Sequence, residues 1–412
     1  MTWRTTLSCS GLLVLAACGP AAPSEVESSA RGAALAGSLD VTVRDEVSGT
    51  TVAGAVVRAR SLTTGESITE ASTDANGVAH LASASLAGSI TVEVASPTSV
   101  QLFLGVRHDT LVVALPGAAP TVTRVSGNAR ALPSGAATVS VGAASDVTLL
   151  RTASLDAVAI APCATSGDGC TFELLGHIEP GSLAAATVSD ATDAVIGFVV
   201  GRVGPSGGTL ETSVAAEDFV MTLPAASGLT GIVGVPGIAE DGALVLLPQS
   251  SSSLGTLRVP ARVGDLAGAS YWVIVEGHPF TGAATADPNA RSVLFARGVT
   301  TPTELPAWGS WLVAPTAAID VDTAVTFDAV PEADVHAVDW IDASGRVRAS
   351  AWLLDDTLIG VDALLPSGLA SRDVAEVRVR ALDTTSPPGS EGFVAGAIDR
   401  GVIRFSERIL RR

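Results

Sequence analysis

The chain contains no lysine, so its 24 strongly basic residues are all arginines, set against 42 acidic residues for a formal net charge of −18. A chain so short of positive charge lacks the clustered cations that phosphate binding needs, which excludes nucleic acid as a partner. Long hydrophobic runs are also missing. Hydrophobic residues make up 47% and mean hydropathy is +0.44. Yet beyond the N-terminus the longest apolar run is Ala194-Val195-Ile196-Gly197-Phe198-Val199-Val200, far short of the roughly 18 residues a membrane-spanning helix requires. Histidine is sparse. His80, His108, His177, His278 and His336 stand alone, and none lies four residues from another as a helical zinc pair would. Aromatic residues amount to 4%. Trp272, Trp308, Trp311, Trp340 and Trp352 offer a carbohydrate-facing surface in principle, but tryptophan at alternating strand positions more often fills a core.

What is abundant is punctuation. Forty-two glycines and 22 prolines are spread through 412 residues, separating short apolar segments without any sustained helical period, so the pattern predicts many short strands joined by turns. The length implies roughly two to four domains. The expected fold is all-β, with several β-sandwich domains in tandem.

The N-terminus carries an address. Arg4 precedes the apolar stretch Gly11-Leu12-Leu13-Val14-Leu15-Ala16-Ala17, and Leu15-Ala16-Ala17-Cys18 resembles the lipobox of bacterial lipoproteins. The resemblance implies a signal peptide over residues 1–17, cleavage before Cys18 and acylation of its thiol. Each buried methylene contributes about 0.8 kcal/mol, so a diacylglyceryl group plus an amide-linked chain anchors firmly. Residues 18–37 are small, polar and proline-containing and are expected to form a flexible tether. By the family's sorting rule, Gly19 after the lipidated cysteine favours the outer membrane.

Residues 38–115 supply strand patterns in quick succession. Val43-Arg44-Asp45, Ser48-Gly49-Thr50, Val52-Ala53-Gly54-Ala55-Val56-Val57 and Thr73-Asp74-Ala75-Asn76-Gly77-Val78-Ala79 resemble the carboxypeptidase-regulatory-like family. That resemblance implies a small transthyretin-type β-sandwich, a spacer without catalysis of its own. Asp74-Ala75-Asn76-Gly77 reads as a hairpin turn; an EF-hand start is set aside because no ligand follows at position 12.

Residues 116–312 continue the strand pattern, read as two further β-sandwiches over 116–226 and 227–312. Within them Cys163 and Cys170 bracket Ala164-Thr165-Ser166-Gly167-Asp168-Gly169, a turn-forming string. With Cys9 in the removed signal and Cys18 lipidated, this remaining pair is expected to form a disulfide in an oxidising compartment. A two-cysteine metal site would require His177 and further partners, and no metal or other cofactor is expected. Residues 313–412 hold Ala324-Val325-Thr326-Phe327, Val335-His336-Ala337-Val338-Asp339-Trp340-Ile341, Val347–Leu353 and Glu376-Val377-Arg378-Val379-Arg380-Ala381, with Asp342-Ala343-Ser344-Gly345 as a hairpin turn. This series resembles a fibronectin type III or immunoglobulin-like sandwich, although Asp328 and Ala375 stand where family aromatics are common. The arginines Arg404, Arg408, Arg411 and Arg412 read as a solvated tail.

No catalytic pattern stands out. Gly204-Pro205-Ser206-Gly207-Gly208 matches G-x-S-x-G, but a nucleophile elbow passes from strand to helix, whereas Thr209-Leu210-Glu211-Thr212-Ser213-Val214 reads as a returning strand. Carboxylate groups such as Asp320 and Asp322, Asp339 and Asp342, and Asp355-Asp356 fall at strand ends, where Asp serves backbone hydrogen bonding. The sequence therefore points to a non-enzymatic, lipid-anchored protein of the cell envelope, engaging an envelope polymer, a carbohydrate or a partner protein. The alternative is a secreted hydrolase or its accessory subunit acting on carbohydrate or peptide.

Overall fold

A computed structural model describes residues 28–45, 49–115, 123–143, 145–146, 160–166, 169–176, 178, 180–240, 243–249, 255–281, 285–301, 308–319, 325–354, 373–384, 394–395 and 402–411. Cys18, His177, Asp320, Asp322, Asp355 and Asp356 lie outside these residues. The protein is all-β: the described residues form 30 strands, and the regular helical structure among them is the 3-10 turn Gly264–Leu266. No helix among them is long and apolar enough to cross a membrane.

The N-terminal unit is a pair of packed sheets. One runs Val394–Ala395, Ser28–Ala34, His108–Leu115, Ala36–Asp45, Val78–Ala87; the facing strands run Ser67–Ser72, Val56–Ser61, Ile90–Ala95, Val100–Val106. Alternation decides which side is buried. Leu39, Val41 and Val43 point inward against Val57, Ala59, Val92 and Val94 while their polar neighbours face out, as a half-buried strand requires. Part of the stretch expected as a tether, residues 28–34 and 36–37, lies within strands. Ser28–Ala34 is already a strand, pairing Ala30 with Leu111, because Ala30 and Leu35 find buried places in this core despite the segment's small, polar composition.

Residues 123–214 contribute a closed barrel in the order Thr138–Ala143, Ile160–Ser166, Gly169–Gly176, Thr123–Ala129, Gly207–Val214, Val195–Gly204, Ser182–Ser189. Val125, Val141, Phe172, Leu174, Val188 and Leu210 fill it. Its closure is a short parallel seam in which Gly208, Thr209 and Leu210 pair with Gly127, Asn128 and Ala129.

The strands of the N-terminal unit do not end at its border. Val100–Val106 pairs in parallel with Val347–Leu353, from Val100 opposite Ala349 to Leu104 opposite Leu353. The sheet then continues through Val335–Ile341, Glu376–Thr384, Val402–Arg411, Ala290–Val299, Ser270–Thr281, Leu229–Glu240, Ala243–Leu246 and Ser145–Asp146, and with Thr285–Ala286 paired to the end of Ser270–Thr281 it holds 14 strands in all. Hydrogen bonding also crosses the break expected at 226, since Ala216–Val220 pairs with Thr256–Pro260.

Arg404, Arg408 and Arg411 are not a tail. Val402–Arg411 is an inner strand, flanked by Ala290–Val299 and Glu376–Thr384. Local charge suggests solvent, but Arg404, Arg408 and Arg411 each meet a partner from elsewhere in the chain; Arg412 lies outside the described residues. Arg404 bonds Asp383 at 2.5 Å and the carbonyl of Ser310, and Arg408 bonds Asp287 at 2.6 Å. Together with Ser406, which donates to the Val313 carbonyl, and Ser292, which donates to that of Leu312, they strap the non-strand segment 308–315 along the sheet.

On the sheet's other face a row of buried and half-buried polar pairs crosses five neighbouring strands. Asp339 pairs with Arg380; Glu407 lies opposite both Arg380 and Arg291; Arg291 bonds Glu407 at 3.1 Å and Glu276 at 3.2 Å; His278 meets Glu276 at 3.0 Å. Burial works against the Arg291 charge, but Glu407 and Glu276 outweigh it and hold the guanidinium above its ordinary value. The arginines also lie over rings, Arg380 over Trp352 and Arg291 over Phe405, a placement that favours the cation.

One hairpin turn recurs. In Asp74-Ala75-Asn76-Gly77, Asp190-Ala191-Thr192-Asp193 and Asp342-Ala343-Ser344-Gly345 the leading carboxylate accepts the amides two and four residues on. The fourth residue takes a positive φ of 72°, 64° and 81° respectively. Each leading Asp sits below its ordinary carboxyl pKa. The backbone bond from Val78 is the main cause at Asp74 and the side-chain bond from Thr192 at Asp190; at Asp342 burial opposes the shift, but Ser344 and Arg346 overcome it. A depressed folded-state pKa contributes stability that is present above the unfolded value of about 3.9 and lost as pH falls through the folded value. The denaturant midpoint is therefore expected to drop on acidification below about pH 4. Part of that acid limb should vanish in the triple variant Asp74→Ala, Asp190→Ala, Asp342→Ala; an identical acid limb in the variant would contradict the assignment.

Candidate binding groove on the barrel wall

An open groove of about 770 Å³ lies on the barrel wall. It spans four hydrogen-bonded strands, Ile160–Ser166, Gly169–Gly176, Thr123–Ala129 and Gly207–Val214. Register sets its floor plan. Ala164, Thr171, Asn128 and Thr209 form one row across the strands, and Glu173 opposite Ser126 forms a second, flanked by Pro162 and Gly207. Between them runs the inward row Cys163, Phe172, Gly127, Gly208. Because successive side chains alternate across a strand, Ser126, Asn128, Thr171 and Glu173 are exposed, whereas Gly127 and Phe172 are buried.

The seam under the groove depends on glycine. A Cβ on Gly127 would sit 2.3 Å from the Phe172 ring and 2.7 Å from the Gly208 carbonyl oxygen, and one on Gly208 would sit 2.6 Å from the Arg202 carbonyl oxygen. Gly207 has φ 108°, a backbone conformation other residues rarely adopt. The G-x-S-x-G string is accordingly a hairpin: Gly204 pairs with Gly207 across the two-residue turn Pro205-Ser206, and Ser206 lies at the groove's rim.

The expected disulfide is present. Cys163 and Cys170 are bonded, with Cα atoms 5.5 Å apart, at the groove's edge. A bridge closing so short a loop contributes about 2–3 kcal/mol by restricting the unfolded chain. Reduction, or the double variant Cys163→Ala, Cys170→Ala, is expected to lower stability by about that amount, and thiol labelling of the native protein should find neither residue reactive. Stoichiometric labelling would refute the bond.

Electrostatically the groove is close to neutral. Its carboxylate, Glu173, is bonded by Arg124 at 2.9 Å. The remaining polar groups are the hydroxyls of Ser126, Thr171, Ser206 and Thr209 and the amide of Asn128, which offer hydrogen-bond donors and acceptors without charge.

The other residues singled out in the sequence are dispersed. His80 meets Asp40 at 2.7 Å on the surface, and that bond raises its pKa. His108 meets the Gly32 carbonyl, and His336 is buried, accepting the Val330 amide at Nε2. Among the described residues no group of three or more His, Cys, Asp or Glu is placed to hold a metal ion. Trp340, Trp352 and Trp272 are buried and Trp308 and Trp311 half-buried against the core, so the tryptophans do not form an exposed face. Nothing in the linear sequence signals the groove, because its rows come together only through the seam between residues 127–129 and 208–210.

This geometry defines an all-β protein of packed sheets with a closed barrel and a polar wall groove. No known protein family matches the chain, and no curated protein does. Solved structures that it resembles include the Bacillus anthracis TIE protein, at 10% identity over 62% of this chain and 46% of that one, with a TM-score of 0.17. The chain thus spans less than half the length of that protein. The shaft pilin SpaA from Lactobacillus rhamnosus GG matches at 9% identity over 42% of this chain and 96% of its own, TM-score 0.16. BcpA, the major pilin subunit of Bacillus cereus, matches at 10% identity over 71% and 92%, TM-score 0.17. At these TM-scores the arrangements do not superimpose, and the likenesses carry no argument about activity.

Proposed function

We propose that the chain is a lipid-anchored structural and binding protein of the cell envelope, held through Cys18 and presenting its strand-built body outside the cytoplasm. The observation that carries this reading is Leu15-Ala16-Ala17-Cys18 standing just ahead of a body that is all strand. The Cys163–Cys170 bond supports an oxidising compartment. In this reading the residues about 38–115 serve as a carboxypeptidase-regulatory-like spacer and residues about 313–412 as a fibronectin type III-like unit. Gly19 directs the anchor to the outer membrane. The shared sheet suits a structural role, because load applied at one end passes through main-chain hydrogen bonds into the others.

Replacing Cys18 with serine tests the anchor. The variant is expected to leave the membrane fraction for the soluble one and to lose fatty-acid labelling. Labelling that persists would refute the reading.

A further inference from the structure

We propose that the groove on the barrel wall binds a neutral, hydroxyl-rich polysaccharide; the inference rests on the binding role above and names its ligand class. Three observations converge. First, the groove is open and spans four strands, a shape that admits a segment of a long polymer rather than enclosing a small molecule. Second, the side chains of Ser126, Asn128, Thr171, Ser206 and Thr209 line it, and Thr171, Asn128 and Thr209 stand in one row on three adjacent strands. At a strand spacing of about 4.8 Å, such a row offers repeated donors and acceptors to a repeating chain of hydroxyls. Third, the charge is wrong for ions. Arg124 occupies Glu173, and the net charge of −18 repels polyanions.

An extended peptide fits less well. Peptides join sheets through an unpaired strand edge, and here each of the four strands is already paired along the groove. Among the described lining residues the one aromatic ring, that of Phe172, is buried, so binding rests on hydrogen bonds, and many anchored copies on one membrane supply avidity.

The test is native affinity electrophoresis of the detergent-solubilised full chain through gels containing dextran, a linear β-glucan, alginate or immobilised polyserine. The expected result is retardation by a neutral polysaccharide and by neither alginate nor polyserine. The double variant Asn128→Ala, Thr171→Val removes outward-facing groups and leaves the barrel interior intact, and it should weaken retardation roughly fivefold or more. The proposal is overturned by any of four results: no retardation by either neutral polysaccharide, retardation only by alginate, retardation only by polyserine, or equal retardation of the double variant. Such a failure leaves the anchor reading standing, since fractionation of the Cys18→Ser variant reads that separately.

Discussion

Replacing Glu407 with alanine is expected to destabilise the protein by roughly 3–5 kcal/mol, the usual consequence of breaking a buried ion pair from one side. The Glu407 side chain is 3% exposed and Arg291 11%, so water cannot take over the lost interaction. Arg291 would retain Glu276 but lose the strand-to-strand partner that joins Val402–Arg411 to Ala290–Val299. Because Val402–Arg411 is an inner strand, the damage reaches both flanking strands at once. The change should appear as a lower denaturant midpoint followed through tryptophan fluorescence. Glu407→Gln, which keeps the hydrogen-bonding shape, is expected to lose less. A midpoint for Glu407→Ala equal to that of the parent would show that the row of charges contributes nothing to joining these strands.

Substituting alanine for Gly208 is the second large effect. The added Cβ would meet the Arg202 carbonyl oxygen at 2.6 Å and the Val203 Cα at 2.8 Å. Both are main-chain atoms of the adjacent strand Val195–Gly204, so no side-chain rotation relieves the contact. The strands must move apart, at a cost of about 2–3 kcal/mol. Hydrogen exchange should quicken first where residues 201–204 pair with 207–210, and the adjoining seam and groove should deform after it. Exchange in residues 201–204 and 207–210 unchanged from the parent would contradict the close approach.

What the sequence made legible was local. The turns at Asp74 and Asp342 follow from residues next to one another, as does the short loop that the Cys163–Cys170 bond closes, and alternation in Leu39, Val41 and Val43 marks strands wherever they pair. The Asp190 turn carries no such signal, because Asp193, rather than glycine, takes the positive φ. Partnership was not legible. Alternation reads the same in an open sandwich and a closed barrel, so the seam of Gly127 with Gly208 has no signature along the chain. The parallel joint between Val100–Val106 and Val347–Leu353 brings together segments far apart in sequence. Arg404 and Arg408 carry charges that suggest solvent until Asp383 and Asp287 are seen beside them. The groove inherits this difficulty, since its donors come from strands that only closure makes neighbours.

Intact-mass analysis of the native protein, purified from membranes and sequenced at its N-terminus, tests the envelope-anchor account most directly. The account predicts a polypeptide beginning at Cys18 whose mass exceeds that of the bare chain by a diacylglyceryl group and an amide-linked acyl chain. A protein recovered from the cytoplasm with Met1 at its N-terminus and Cys18 unmodified would contradict it.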